Sequence, residues 1–262
     1  MPKFSPKISQ PIHPLILKGG SKGILLLHGF TATPDSLGFL AQTLHQEDFT
    51  VSVPILAGHG THETQLAQTL WQDWYQSAEK AYQKLSEQCK SVSVVGLSLG
   101  GLLTLHLAYS YPQIKALGLL ATPLFLDGWL IRTLFPLIWK TPLKYLYRYQ
   151  KKHLVSINDP LARRRHQTYG RIPVSSVANL LDLQKKVRRE LFGVHQPAFI
   201  AHALDDETVP YGNLDFIRVC LGSTEIETLT LKRSNHIITV DYDKEIVAKR
   251  VLRFLKNHMK RK

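Results

Sequence analysis

Residues 91–101 read SVSVVGLSLGG, and this stretch decides the fold. Its β-branched start predicts a strand at 92–95, and the apolar residues after it predict a helix at 101–109. A strand that turns sharply into a helix projects the residue at the turn, Ser98, away from the backbone and beside the unpaired N–H groups of the helix. Glycines stand two positions before and after Ser98, where neighbouring backbones leave no room for a Cβ. The stretch therefore predicts a nucleophilic serine.

Short apolar runs alternate with longer helical patterns along the rest of the chain. The predicted strands are 24–27, 51–56, 92–95, 117–120, 198–203 and 226–231, and the predicted helices are 36–46, 70–88, 101–109, 213–221 and 244–257. Short apolar strands separated by helices are typical of a parallel sheet that is buried on both faces. We therefore expect an α/β fold with a mostly parallel central sheet flanked by helices.

One long interval interrupts this alternation. Residues 122–195 separate two predicted strands and are rich in leucine and aromatic residues, which is too apolar for a linker. A chain of 262 residues can bury one substantial core. We expect a core formed by residues 1–121 and 196–262, with residues 122–195 inserted as a helical cap, or lid, between two late strands.

The positive charge of the chain is concentrated in the same interval. The formal net charge is +13, and residues 122–195 carry 14 Lys and Arg against 4 Asp and Glu, a net of +10. Such charge is expected on the solvated outer faces of amphipathic helices. It is also expected on a surface that binds anionic lipids, where each basic residue contributes about 1 kcal/mol to the attraction. No nucleic-acid-binding module surrounds these residues, so we expect no nucleic-acid partner.

Cysteine and histidine usage favours chemistry without a metal or cofactor. Cys89 and Cys220 lack the C-x-x-C spacing of a redox or zinc site, and the 12 histidines include no His-Glu-x-x-His pattern. We therefore expect no metal and no cofactor. The sequence also shows no signal peptide and no run of transmembrane length, which predicts a soluble cytoplasmic protein.

An activated serine needs a base, an acid that orients the base, and donors for the developing oxyanion. Asp205 and Asp206 follow the predicted strand 198–203, and His236 follows the strand 226–231. These side chains leave their strands at the same end of the sheet as Ser98, where parallel sheets bind ligands. The residues alone leave Asp205 and Asp206 as equal candidates for the acid.

Two backbone N–H groups are candidates for the oxyanion hole. One belongs to Leu99, directly after the predicted nucleophile. The other belongs to Phe30, which follows a flexible glycine in the loop after the first strong strand. Donors placed in this way stabilise the negative charge of a tetrahedral intermediate.

Five motifs occur in order: LHGFT at 27–31, AGHG at 57–60, GLSLGG at 96–101, DETVP at 206–210 and SNH at 234–236. With them the chain resembles the α/β-hydrolase superfamily, and within it the small bacterial carboxylesterases and monoacylglycerol lipases of the thermostable Geobacillus esterase type. The resemblance spans residues 22–256 and implies Ser98 as nucleophile, His236 as base and Asp206 as acid. It also implies the Phe30 and Leu99 N–H groups as oxyanion donors, and a cap that begins near Thr122. In this chain that cap is longer and more basic than the family pattern.

The predicted function is hydrolysis of carboxylic esters through an acyl-enzyme. Short- to medium-chain acyl esters, including monoacylglycerols, are the expected substrates, because a leucine-rich and aromatic lid suits an acyl chain. Thioesterase, amidase and peptidase activities use the same triad and are alternatives. A non-catalytic binding protein of this fold is the alternative of another class, although such a protein would be expected to lack a triad residue.

Overall fold

The computed structural model describes residues 12–126, 148–151 and 155–259. The strands in chain order are β1 (Leu15–Leu17), β2 (Lys22–Leu27), β3 (Thr50–Val53), β4 (Ser91–Leu97), β5 (Leu117–Leu120), β6 (Tyr149–Lys151), β7 (Arg171–Pro173), β8 (Ala198–Ala203) and β9 (Ile226–Leu231). Within these ranges, seven strands form one sheet in the order β1-β3-β2-β4-β5-β8-β9, and β6 pairs with β7 in a separate antiparallel ribbon. All neighbours in the large sheet are parallel except β1 and β3. The predicted fold class is confirmed.

Helices follow most strands of the sheet. In chain order they are α1 (Gly38–His45), α2 (Glu63–Leu66), α3 (Trp71–Gln88), α4 (Leu99–Ser110), α5 (Pro160–Arg165), α6 (Val174–Glu190), α7 (Gly212–Cys220) and α8 (Lys244–His258), with short 3-10 turns at Pro34–Leu37 and Leu191–Gly193. No helix in the described part of the chain is long and apolar enough to cross a membrane.

The sheet separates two hydrophobic cores, which explains why its central strands carry apolar side chains on both faces. Along β2, Leu25 and Leu27 face the core formed with α3, α4, α6 and α7, whereas Ile24 and Leu26 face the core formed with α1 and α8. This alternation follows from the two-residue period of a strand. Each fully buried leucine contributes about 1.5–3 kcal/mol to the free energy of folding. The central strands are therefore held firmly and form a rigid support for the loops at their carboxyl ends.

Several element bounds differ from those expected from the sequence. The strand expected at 51–56 ends at Val53, and the helix expected at 36–46 begins as the 3-10 turn Pro34–Leu37 before α1. Strand β1 was not predicted, because three partly exposed residues on an antiparallel edge carry too little periodicity. Helices α2, α5 and α6 and the β6–β7 ribbon were also not predicted.

The predicted cap, residues 122–195, lies partly outside the described residues, since 127–147 and 152–154 are not described. Within its described part, β7 is followed by α6, and Leu183 and Val187 of α6 are buried in the same core as α3 and α4. The end of the predicted cap therefore contributes to the packing of the sheet. The division of the chain into core and cap stays a prediction.

Candidate active site

Ser98 occupies the turn between β4 and α4 in a strained backbone conformation. Its φ is 54° and its ψ is −118°, a region that a residue with a Cβ adopts at a cost of about 1–3 kcal/mol. The surrounding structure fixes this conformation, because the Ser98 N–H donates to Leu120 O at 2.8 Å and the Gly101 N–H donates to Ser98 O at 2.8 Å. The turn places the Ser98 side chain at the carboxyl edge of the sheet.

The glycines on either side of Ser98 are required by close backbone packing. A Cβ added to Gly96 would overlap the carbonyl of Gly100, and a Cβ added to Gly100 would overlap the carbonyl of Leu27. Only glycine permits β2, β4 and α4 to approach so closely. The sequence pattern around Ser98 is therefore a direct consequence of this packing.

His236 lies between Ser98 and Asp206 and is hydrogen-bonded to both. Its Nε2 is 3.0 Å from Ser98 Oγ, and its Nδ1 is 2.8 Å from Asp206 Oδ2. The side chains of His236 and Asp206 are buried. Three residues that are far apart in the sequence are thus brought into one continuous hydrogen-bonded row at the same edge of the sheet.

The Asp206 carboxylate is held by donors on both of its oxygens. Oδ1 accepts the N–H groups of Thr208 and Val209, each at 2.8 Å, and His202 Nε2 lies 3.3 Å from Oδ2. Burial by itself raises the pKa of Asp206, but the nearby His236 and the hydrogen bonds from His202, His236 and Val209 outweigh it, so the pKa lies below its usual value. Asp206 therefore stays ionised in the folded protein.

Asp205, the other candidate acid, is exposed to solvent. The structure thus separates the two adjacent carboxylates, which the residues alone left open. It places Asp206, the residue implied by the family resemblance, against His236.

The two residues whose N–H groups are expected to bind the oxyanion lie close to Ser98 in the fold. Leu99 is the first residue of α4, and Phe30 follows Gly29, whose added Cβ would lie 3.4 Å from Ser98 Cβ. Neither N–H has a backbone acceptor among the residues that the structure describes. The two N–H groups thus stay candidates for the oxyanion hole.

A group of buried rings supports the loop that contains Phe30. The centroid of the Phe30 ring lies 5.7 Å from that of Trp74 and 6.1 Å from that of His59, and the His59 ring lies 5.2 Å from the His28 ring. No sequence pattern indicates this role, since His28 is typical of an ordinary strand-end turn and His59 of a loop wall.

Both histidines of this group are neutral. Burial lowers the pKa of His28 to about 4, and burial together with the neighbouring His28 lowers the pKa of His59 to about 3. His28 Nε2 accepts the Leu56 N–H at 3.2 Å, so its Nδ1–H donates to Gly29 O at 3.0 Å. His28 thereby fixes the carbonyl directly before Phe30.

Within the described ranges, no group of three or more His, Cys, Asp or Glu residues is arranged to hold a metal ion. Cys89 and Cys220 are both free thiols. The arrangement at Ser98 instead has the parts needed for acyl transfer: a hydroxyl, an imidazole that can take its proton, a buried carboxylate that orients the imidazole, and two N–H donors.

Comparisons with known proteins point to the same chemistry. The sequence model of the family described as serine aminopeptidase, S33, matches residues 21–243. A thermostable monoacylglycerol lipase of Bacillus sp. (strain H-257) is 34% identical over 247 residues, which is 94% of each chain. A carboxylesterase of Bacillus subtilis (strain 168) is 28% identical over 249 residues, 92% of this chain and 95% of the relative.

Among solved structures, one described as the metagenome-derived lipolytic enzymes LipS and LipT superposes with a TM-score of 0.87 at 29% identity, covering 95% of this chain and 98% of the other. The monoacylglycerol lipase of Paleococcus ferrophilus superposes with a TM-score of 0.79 over 95% of this chain and the whole of the other. At 16% identity, the latter shows a shared fold alone.

Proposed function

Because the chain belongs to the serine aminopeptidase S33 family of α/β hydrolases, we propose that it hydrolyses carboxylic esters through an acyl-enzyme. The observation that carries the proposal is the contact of 3.0 Å between Ser98 Oγ and His236 Nε2, with Asp206 on the other side of the imidazole. The relatives named as monoacylglycerol lipase and carboxylesterase support the choice of esters.

In the proposed mechanism, His236 Nε2 takes the proton of Ser98 Oγ as the oxygen attacks the ester carbonyl carbon. The N–H groups of Phe30 and Leu99 bind the resulting oxyanion. The carbon–oxygen bond to the alcohol then breaks, and His236 returns the proton to the departing alcohol. Water, deprotonated by His236, then attacks the carbonyl carbon of the acyl group. The bond from that carbon to Ser98 Oγ breaks, the acid departs, and His236 returns the proton to Ser98 Oγ, while Asp206 keeps the Nδ1–H of the imidazole oriented throughout.

The substrates proposed are short- to medium-chain acyl esters, including monoacylglycerols, bound beneath a cap formed by residues 122–195. Two contacts support this position of the cap. Thr168 Oγ1 donates to Thr31 O at 3.0 Å, directly after the oxyanion residue Phe30, and Tyr169 Oη donates to Gly58 O at 2.7 Å. The cap segment is thus tied to the loops that surround Ser98.

Peripheral contact with an anionic lipid surface is a further part of the proposal. Helix α5 carries the exposed residues Arg163, Arg164 and Arg165, and beside them Leu161 is 63% exposed. Leu161 and Arg165 line a surface groove together with Phe39 and Lys244. Exposed apolar side chains among basic ones suit an anionic membrane surface.

Sedimentation with vesicles tests this contact. We expect binding to phosphatidylglycerol vesicles but not to phosphatidylcholine vesicles, and loss of binding in a variant with all three arginines of α5 changed to glutamine. A matched variant with Lys185 and Lys186 changed to glutamine should retain binding. Equal sedimentation with both kinds of vesicle contradicts the contact, and so does binding to arbitrary duplex DNA with no binding to vesicles.

We also propose a cytoplasmic location, which is supported by the two free thiols, Cys89 and Cys220, since disulfides are rare in that compartment. Fractionation of cells that express the tagged chain tests this. The expected result is recovery in the cytosolic fraction, or from the membrane fraction after a high-salt wash, with none in the medium.

The activity is tested with p-nitrophenyl esters of increasing acyl length, using the wild type and Ser98→Ala. We expect turnover by the wild type alone, and covalent labelling of Ser98 by a fluorophosphonate. Parallel assays with a thioester, an amide and an aminoacyl p-nitroanilide separate esterase from thioesterase, amidase and peptidase activity. Absence of turnover by the wild type on every ester contradicts the proposal.

A further inference from the structure

The loop that carries His236 contains a buried carboxylate that has no part in the mechanism above. Asp241 has no exposed surface. Its Oδ2 accepts the N–H of Asn235 at 2.8 Å, and its Oδ1 accepts the N–H of Tyr242 at 2.8 Å. Because Asn235 directly precedes His236, the Asp241 carboxylate fixes the backbone from which the His236 side chain projects.

The same carboxylate also binds a distant part of the chain, residues 155–159, which we call the bridging segment. Asp241 Oδ2 accepts the N–H of Asn158 at 2.7 Å, and Oδ1 accepts the N–H of Asp159 at 2.8 Å. Four backbone donors thus satisfy a fully buried carboxylate, and hydrogen bonds to an ionised acceptor are the stronger kind. Two of the donors come from the His236 loop and two from the bridging segment.

The bridging segment makes further contacts with the loop that carries His236 and with the loop that carries Asp206. Ile237, the residue after His236, donates its N–H to Ser156 O at 3.2 Å. Ser156 Oγ lies 2.8 Å from Thr208 Oγ1, and the Thr208 N–H donates to Asp206. The segment is therefore bonded to Ile237, directly after His236, and to the turn that holds Asp206.

Asn235 completes this arrangement by joining the two loops directly. Its Oδ1 accepts the N–H of Glu207 at 3.2 Å and that of His236 at 2.8 Å. Asp241 thus holds the backbone of Asn235, and the side chain of the same residue joins the acid loop to the base loop.

We infer that Asp241 is a positioning residue that keeps the His236 imidazole in line between Ser98 and Asp206 by joining the His236 loop to the bridging segment. The inference rests on the proposed function. A shift of about 1 Å in a reacting group lowers rates by about 100-fold, so a loop that carries a catalytic base requires such support. Asparagine at 241 would present an NH₂ group to two of the four N–H donors and push them apart.

The test compares Asp241→Asn, Asp241→Glu and Asp73→Asn with the wild type on a short p-nitrophenyl ester. Asp73 is the matched control, because its carboxylate also accepts a backbone N–H group, that of Leu70 at the start of α3, but lies outside the His236 loop and the bridging segment. Titration of active sites with a fluorophosphonate, taken to completion, normalises every rate to the folded enzyme.

We expect kcat per titrated site to fall about 100-fold in Asp241→Asn and less in Asp241→Glu, with KM unchanged, and to stay within twofold of the wild type in Asp73→Asn. The low-field proton resonance of the hydrogen bond between His236 Nδ1 and Asp206 should be lost in Asp241→Asn and kept in Asp73→Asn. A variant that merely unfolds lowers the number of titrated sites and leaves the rate per site unchanged.

A rate per titrated site within twofold of the wild type in Asp241→Asn overturns the inference, and Asp241→Glu decides in the same way should Asp241→Asn give no titratable enzyme. Failure of the wild type to cleave any ester is a failure of the proposed function instead. In that event, the rate of phosphonate labelling and the proton resonance decide the role of Asp241, because neither needs ester turnover.

Discussion

His202 Nε2 lies 3.3 Å from Asp206 Oδ2 and 3.0 Å from the carbonyl oxygen of Val209, inside the turn that holds the acid. His202 is the fifth residue of β8, and its ring is buried. A single N–H thus contacts both the proposed catalytic carboxylate and the backbone of the turn that carries it. His202 is the neighbour through which the rigid sheet supports the acid.

Replacement of His202 by leucine should lower kcat by about tenfold. A hydrogen bond to a charged group contributes about 1.5–3 kcal/mol to stability. Part of this energy helps Asp206 to stabilise the imidazolium of His236 that forms during the reaction. Steady-state kinetics on a short ester, corrected by titration of active sites, measures the effect. A variant with unchanged kcat shows that the Thr208 and Val209 N–H groups suffice to hold the carboxylate.

The roles of the two adjacent aspartates are separated by matching substitutions. Asp206→Asn should lower kcat about 10⁴-fold, because an amide in place of the carboxylate favours the wrong tautomer of His236. Asp205→Asn should change kcat by less than about twofold, since Asp205 is exposed. The comparison is direct because both substitutions remove one charge from the same loop. A larger loss in Asp205→Asn contradicts the assignment of Asp206.

The sequence predicted those parts of the fold and site that follow from short-range patterns. Ser98 could be predicted because the glycines around it are imposed by local packing, and the strands 117–120, 198–203 and 226–231 have the bounds that were expected. The choice of Asp206 over Asp205 needed either the family resemblance or the structure, because two adjacent aspartates of one loop differ only in the direction in which their side chains point.

The support around the site could not be predicted, because it depends on contacts between distant segments. Asp241 and Asn158 are 83 residues apart in the chain, and no pattern in either stretch indicates their hydrogen bond. His28 and His59 are likewise neutral only because the fold buries them together.

Glycine at position 100 should be essential for stability. Gly100→Ala places a Cβ against the carbonyls of Leu27 and His28, which are parts of the rigid sheet and cannot move aside. Overpacking of this kind costs about 1–3 kcal/mol or more, and denaturant unfolding measures it. Gly170→Ala is the matched control, since a Cβ there meets no atom within 4 Å; its effect should stay within about 0.5 kcal/mol. Equal stability of the two variants contradicts the packing described around Ser98.

The two buried histidines should make the protein less stable as the pH falls from about 6.5 towards about 4. The folded pKa is about 4 for His28 and about 3 for His59, both below the value of 6.5 for a free histidine. Between these limits the unfolded chain binds protons that the folded chain does not. The free energy of unfolding therefore decreases on acidification, by up to about 1.4 kcal/mol per pH unit for each histidine.

His59→Asn tests this contribution, because asparagine can keep the donor to Ala57 O that His59 Nδ1 provides but does not titrate. Any loss of packing in the variant is independent of pH, so the slope of the unfolding free energy against pH isolates the titration. Around pH 5 the slope should be smaller than in the wild type by the equivalent of nearly one bound proton, about 1.4 kcal/mol per pH unit. At pH 8, where a free histidine is almost fully deprotonated, the two slopes should agree. Identical slopes around pH 5 mean that His59 is already protonated in the folded protein, and the charge would then lie within the ring group that supports Phe30.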